Sequence, residues 1–288
     1  MNGIIRRIKI LLEMIKFEHT VFALPFAFLG AFLAQGGIPP LKESLLILLG
    51  MVGGRTAAMG FNRIVDLPFD AKNPRTKERP LVTGAVKKKE AWAMVILSSL
   101  AFFISAYLLN PMAFKLSPWV YIVLLAYSYT KRFTPLCHLF LGLAIGIAPT
   151  AGWIAIKGSI SLLPILISIG VMFWVAGFDI LYACLDTEFD KKTGLHSIPA
   201  AIGVKNAFFI SSLFHVIAFF LFLAVGLLAD LRLPYYIGLF GVSILFILQR
   251  RVVSPNDLSK MNLAFFTLNG LVSLILFCFT VIDMTFFH

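Results

Sequence analysis

The sequence predicts an all-α membrane protein: nine transmembrane helices in a pseudo-symmetric bundle around a central cavity. Three observations predict it. The chain is 59% hydrophobic and only 14% charged, with a mean hydropathy of +0.91, which lies outside the range of ordinary soluble domains. Nine apolar runs approach the length that crosses about 30 Å of hydrocarbon. The basic residues gather on one side of those runs.

In chain order, the spans are expected at 20–37, 44–65, 91–110, 117–130, 136–156, 161–183, 206–229, 233–249 and 262–284. The first follows a basic N-terminus, and no small-residue cleavage site follows a short apolar core, so it is expected to remain as an anchor. The second contains Arg55 and ends in the acidic cluster Asn62, Asp66 and Asp70. The fourth is the shortest. The sixth ends in a second cluster, Asp179, Asp186 and Asp190. No segment reads as a soluble domain, so residues 1–288 are expected to form one unit.

Of the 25 Lys and Arg residues, 20 fall at the N-terminus and in the loops after the even-numbered spans. Lys42, Lys115, Lys157 and Arg232 fall on the opposite side, and Arg55 lies within the second span. This asymmetry predicts a cytoplasmic membrane protein with its N-terminus and both acidic clusters cytoplasmic and its C-terminus outside. It also accounts for the net charge of +11 without a nucleic-acid partner. The three cysteines show neither a disulfide framework nor metal-ligand spacing.

Intramembrane carboxylates are costly unless a bound charge or a water-filled cavity compensates them. Positions i, i+4 and i+8 of a helix share a stripe, so Asn62, Asp66 and Asp70 line one face if the helix passes Pro68, where a kink or an end is expected. Asp179 and Asp186 share another stripe, extended by Asp190. Oxygen donors without His or Cys suit Mg²⁺. The bland alternative places these acids at solvated helix ends. Lys72, Arg75, Lys77 and Arg79 lie beside the first cluster, and Lys131 and Arg132 follow the fourth span. Cations beside a carboxylate–Mg²⁺ site are what a diphosphate requires. A transporter also places charge in a membrane cavity, but usually near the midplane.

The run Asn62-Arg63-Ile64-Val65-Asp66 with Asp70, the run Arg79 to Gly84, and Asp186-Thr187-Glu188-Phe189-Asp190 resemble the UbiA superfamily of intramembrane prenyltransferases. The stretch Tyr127 to Thr134, then Gly142 and Trp153, and Asp179 to Ala183 resemble its hydroxybenzoate-type branch. The resemblance implies two Mg²⁺ ions, a polyprenyl diphosphate donor and an aromatic acid acceptor. It implies that Asn62, Asp66, Asp186 and Asp190 hold the metal, with Asp70 and Asp179 in support. Arg63 departs from relatives that carry an acid there. The acceptor is expected to be 4-hydroxybenzoate, on the ubiquinone route, or alternatively 1,4-dihydroxy-6-naphthoate, on a menaquinone route. On this reading Arg55 pairs with the acceptor carboxylate, or else with an internal acid such as Asp179. Asp179 supports the metal or acts as base on the acceptor hydroxyl. Tyr182 and His19 are candidate acceptor contacts, with packing and a helix end as their alternatives.

Overall fold

Helices account for almost the whole chain because its apolar runs leave the backbone no other way to satisfy its polar groups in hydrocarbon. A computed structural model describes residues 2–16 and 20–287; His19 lies outside them. The helices are α1 (Asn2–Met14), α2 (Thr20–Gln35), α3 (Leu41–Asp70), α4 (Lys88–Leu109), α5 (Pro111–Thr130), α6 (Cys137–Lys157) and α7 (Leu162–Ala183). After a 3₁₀ turn (Cys184–Asp186) come α8 (Thr187–Thr193), α9 (Ile198–Ile202), α10 (Val204–Leu228), α11 (Leu233–Val252), a π-turn (Leu263–Leu268) and α12 (Asn269–Phe286). Among the described residues there is no β-strand, only an isolated bridge between Ser254 and Asp257.

The protein is a multi-span membrane protein. Among the described residues, seven helical segments are long and apolar enough to cross a bilayer: α3, α4, α6, residues 162–193, α10, α11 and residues 266–286. Each of the nine expected spans falls on a helix, but α2 is only 16 residues long. Lys115 and two prolines interrupt the apolar character of α5, so neither joins the seven. The amphipathic α1 was not expected, because a hydropathy reading passes over a helix whose apolar residues occupy one face.

Sequence chemistry sets several boundaries. Asn110 caps α5 by accepting from the Ala113 N–H, with Pro111 at the first helical position. Gly158, at φ 63°, ends α6 in the left-handed conformation. Pro68 does not itself end α3: the helix runs two residues past it, to Asp70, so the expected end comes within the same turn. The proline sits in the last turn, where few hydrogen bonds remain to lose. The second acidic stripe departs from expectation: Asp186 lies in a 3₁₀ turn, so a single 3.6-residue period does not run from Asp179 to Asp190.

Helix α2 crosses α6 at backbone contact. A Cβ added at Gly30 would meet the Pro149 carbonyl oxygen, and one at Gly152 would meet that of Ala27. Such mutual notches are how membrane helices gain dispersion contact without a hydrophobic driving force between them. On the other side of α2, Phe26 packs on Trp174 of α7 and Phe222 of α10, with ring centroids 5.3 and 6.1 Å apart. Trp174 is fully buried, and its Nε1–H donates to Asn269 Oδ1 at 3.2 Å, which also accepts from Gln249 Nε2 at 2.6 Å.

Candidate active site

Asn62 and Asp66 lie one turn apart on α3, with Asn62 Nδ2 donating to Asp66 Oδ2 at 2.8 Å. Asp70, one turn further on, accepts from Arg79 Nη1 at 2.7 and 2.6 Å, one bond to each oxygen. The loop between them folds back because Thr76 Oγ1 donates to the Asp70 carbonyl. That fold-back carries Asn73 and Arg75 across to the second cluster. Asp186 Oδ1 accepts from Asn73 Nδ2 and from Arg75 Nε, each at 2.9 Å, and its second oxygen pairs with Arg75 Nη2. Arg75 also donates to the Tyr182 hydroxyl at 3.0 Å and lies over that ring at 4.9 Å. The 71–87 loop is therefore the physical link between the two acidic motifs.

Asp190 is fully buried. It accepts from Ser197 Oγ at 2.8 Å and pairs with Lys131 Nζ at 2.8 Å. Lys131 reaches it because the residue 196 N–H donates to the Lys131 carbonyl, tying the start of the α9 segment to the end of α5. Arg132 is used differently: it donates to the Val65 carbonyl, stacks over Phe69 and Tyr129, and lies 3.7 Å from Asp66. Lys72 and Lys77 are exposed on the same loop. Burial works against the charge of Arg75, but its hydrogen bond to Asp186 and the charge of that acid outweigh it and raise its pKa. For Lys131, burial likewise lowers and the nearby Asp190 raises, with a net upward shift.

Arg55 lines a cavity of about 270 Å³ bounded by α2 to α6. Its neighbours on the wall include Met59, Tyr127, Leu141 and Ala148, and the exposed Trp119 marks its outer side. Seven residues separate Arg55 from Asn62, which is about 10 Å along a helix axis. The cavity thus holds a cation in an otherwise mostly apolar chamber, two turns from the acidic cluster.

Among the expected contacts, Tyr182 sits against Arg75 and is not on the wall of this cavity. Arg63, the departure from the family pattern, is buried; its Nε donates to the Met14 carbonyl and its Nη1 to Asn62 Oδ1, both at 3.1 Å. It fastens α1 to the first acidic motif.

Two residues of the site escaped the sequence reading. Asn73 lies in a loop with no periodicity to mark it. His138 pairs with Asp179, Nδ1 to Oδ2 at 2.7 Å, across 41 positions. Neither has a short-range spacing that could have exposed it.

A match to the model of the UbiA prenyltransferase family extends over residues 23–271. The chain belongs to the UbiA prenyltransferase family. It is a transferase of that family, similar to 4-hydroxybenzoate octaprenyltransferases. The chain is 30% identical over 244 residues to that of Shewanella denitrificans, covering 85% of this chain and 83% of the relative. It is 32% identical over 258 residues to that of Aromatoleum aromaticum, covering 88% and 86%. A UbiA homolog from Aeropyrum pernix superposes with a TM-score of 0.84 at 38% identity, covering 93% of this chain and 98% of that one. A UbiA homolog from Archaeoglobus fulgidus bound to DMAPP and Mg²⁺ shares the fold, with a TM-score of 0.72 at 22% identity and coverage of 96% and 99%.

Proposed function

We propose that this UbiA-family protein transfers a polyprenyl group from an allylic diphosphate to a carboxylate-bearing hydroxylated aromatic acid in quinone biosynthesis, with 4-hydroxybenzoate as the acceptor. The observation that carries this reading is Arg55 on the wall of an apolar cavity, two turns from an acidic cluster surrounded by Arg and Lys. A planar guanidinium in an apolar chamber suits a bidentate bond to the acceptor carboxylate and orients the ring. The apolar walls keep water from an allylic cation until the ring carbon captures it. The prenyl tail extends past Trp119, on the outer side of the chamber, into lipid.

The donor set fits a hard divalent cation. Asn62, Asp66, Asp70, Asp186 and Asp190 offer only oxygens, and the Asp66 oxygen not bonded to Asn62 has its nearest cation 3.7 Å away. Among the described residues no three His, Cys, Asp or Glu side chains are gathered closely enough to hold an ion, and Arg75, Arg79 and Lys131 meet three of the carboxylates. These five residues would hold Mg²⁺, two ions by likeness to the family. When bound there, Mg²⁺ neutralises charge developing on the diphosphate leaving group.

Arg75, Arg79, Lys72 and Lys77 bind the diphosphate from the loop, and Lys131 and Arg132 from the end of α5. The C–O bond of the donor breaks with its electron pair leaving on pyrophosphate. Asp179 takes the acceptor's hydroxyl proton, which makes the ring more nucleophilic. The acceptor ring carbon then forms the new C–C bond, its proton leaves on the released pyrophosphate, and Asp179 returns the hydroxyl proton to the product oxygen. In this reading α2 and α5 also cross the bilayer, giving nine spans with the acidic end of the bundle cytoplasmic. The whole chain is a single domain, and Tyr182 borders the diphosphate through Arg75.

The test supplies purified protein in detergent with Mg²⁺, an allylic polyprenyl diphosphate and, in separate arms, 4-hydroxybenzoate and 1,4-dihydroxy-6-naphthoate. Prenylated 4-hydroxybenzoate, detected by mass spectrometry, is the expected product. Product only with the naphthoate would move the acceptor to the menaquinone route. Folded protein that releases no pyrophosphate would overturn the reading.

A further inference from the structure

His138 stands on α6, one residue into the helix, with 2% of its surface exposed. Both of its ring nitrogens are bonded. Nδ1 lies 2.7 Å from Asp179 Oδ2, and Nε2 lies 3.3 Å from the backbone N–H of Ile198. A backbone N–H can only donate, so Nε2 must be the acceptor. The ring proton therefore sits on Nδ1 and is donated to Asp179. The preceding residue, Ser197, caps α9 and donates to Asp190 Oδ2 at 2.8 Å. One buried imidazole thus joins Asp179 on α7 to the helix start that holds Asp190.

We propose that His138, as the neutral Nδ1–H tautomer, is a positioning residue that locks the Asp179 carboxylate in one orientation and registers it to the α9 N-terminus. The proposal rests on the reading of Asp179 as the group that takes the acceptor's hydroxyl proton. A neutral N–H donor leaves the carboxylate its negative charge and occupies one oxygen. The other oxygen is then left for the substrate, and the Asp179 side chain keeps 23% of its surface exposed. The second bond, from Ile198, disfavours the other tautomer, which would set an N–H against an N–H, and a flipped ring, which would set ring carbons against both partners. Hydrogen-bond partners that orient a functional group in this way typically contribute about 10-fold to 100-fold to activity.

Three substitutions separate the two bonds. In His138→Asn the side-chain amide can donate where Nδ1 stood. In His138→Gln the amide oxygen can accept where Nε2 stood. His138→Phe removes both at similar bulk. The expected order of kcat is wild type, then Asn, then Gln and Phe, with Phe lower by about 10-fold or more and KM for the prenyl diphosphate unchanged. Spectra of the ¹⁵N-histidine-labelled wild type, with the His138 signal assigned by its loss in His138→Asn, should show protonated Nδ1 and bare Nε2. A wild-type kcat in His138→Phe, a reversed order of Asn and Gln, or a protonated Nε2 would each overturn the proposal. If His138→Phe does not fold, the tautomer measurement still decides. Asp179→Asn keeps the two ideas apart: full activity there removes the reading of Asp179. An inactive Asp179→Asn beside a fully active His138→Phe removes only the role of His138.

Discussion

Arg75 and Asp186 lie 111 positions apart and meet through a two-pronged contact, with the Nε bond at 2.9 Å and the Nη2 bond to the second oxygen. The loop that begins at the end of α3 thereby holds the acid at the end of α7. Asn73 adds a third bond to the same carboxylate. An account of the site that treats the two acidic motifs as independent ligand sets omits the residues that join them.

Replacing Arg75 with Ala should lower kcat by about 100-fold, as expected for the loss of one preorganised donor at a developing charge. Arg75→Lys should recover little, since an ammonium cannot match the two-pronged geometry. Steady-state kinetics with pyrophosphate detection would check both. Near wild-type rates in Arg75→Ala would remove it from diphosphate binding.

Arg55→Ala should weaken the acceptor and not the donor. A hydrogen bond to a charged group contributes about 1.5 to 3 kcal/mol, so KM for the aromatic acid should rise by roughly 10-fold to 100-fold while KM for the prenyl diphosphate stays put. An acceptor analogue without its carboxylate should react equally well with both proteins. Equal discrimination against that analogue by Arg55→Ala would exclude the pairing.

The Lys131–Asp190 pair should act on stability. Asp190 is fully buried and Lys131 is one-third exposed, so Lys131→Met strands a buried carboxylate, at a cost of about 3 kcal/mol. Adding Asp190→Asn should restore much of the thermal stability in detergent, though not activity. The pKa of Lys131 is raised in the folded state. Its stabilisation is therefore complete below the ordinary lysine value and lost only as pH climbs past the raised one. Melting temperatures across neutral pH should show no step from this pair.

The notch between α2 and α6 offers a test of packing. Gly152→Val drives a side chain into the Ala27 carbonyl and should cost at least about 1 to 3 kcal/mol. Size-exclusion profiles and melting curves should show loss of the folded form, or a sharp fall in stability. Gly241→Val, where an added Cβ meets only Ile275 at ordinary contact distance, should be tolerated.

Much of this arrangement was legible in the sequence because it follows from periodicity. The four-residue spacing of Asn62, Asp66 and Asp70 survives because α3 continues through Pro68. Arg55 stood out because a cation inside an apolar run has few explanations. The spacing from Asp179 to Asp190 was less transferable, because a 3₁₀ turn advances the chain by three residues per turn. His138 and Asn73 stayed hidden for a different reason: their partners are 41 and 113 positions away. Contacts of that kind arise from tertiary packing and leave no local signature. The small helices α8 and α9 were missed as well, since five to seven residues carry too little pattern to register.

The glycine notch has a mechanical corollary. Where two backbones touch, neither helix can slide or tilt without a collision, so the α2–α6 seam is a stiff hinge post. Both helices also form part of the wall around Arg55. The α4–α5 side of the chamber is built differently, with Phe102 and Phe103 meeting Tyr121 ring to ring. Aromatic faces can glide past one another where interlocked backbones cannot.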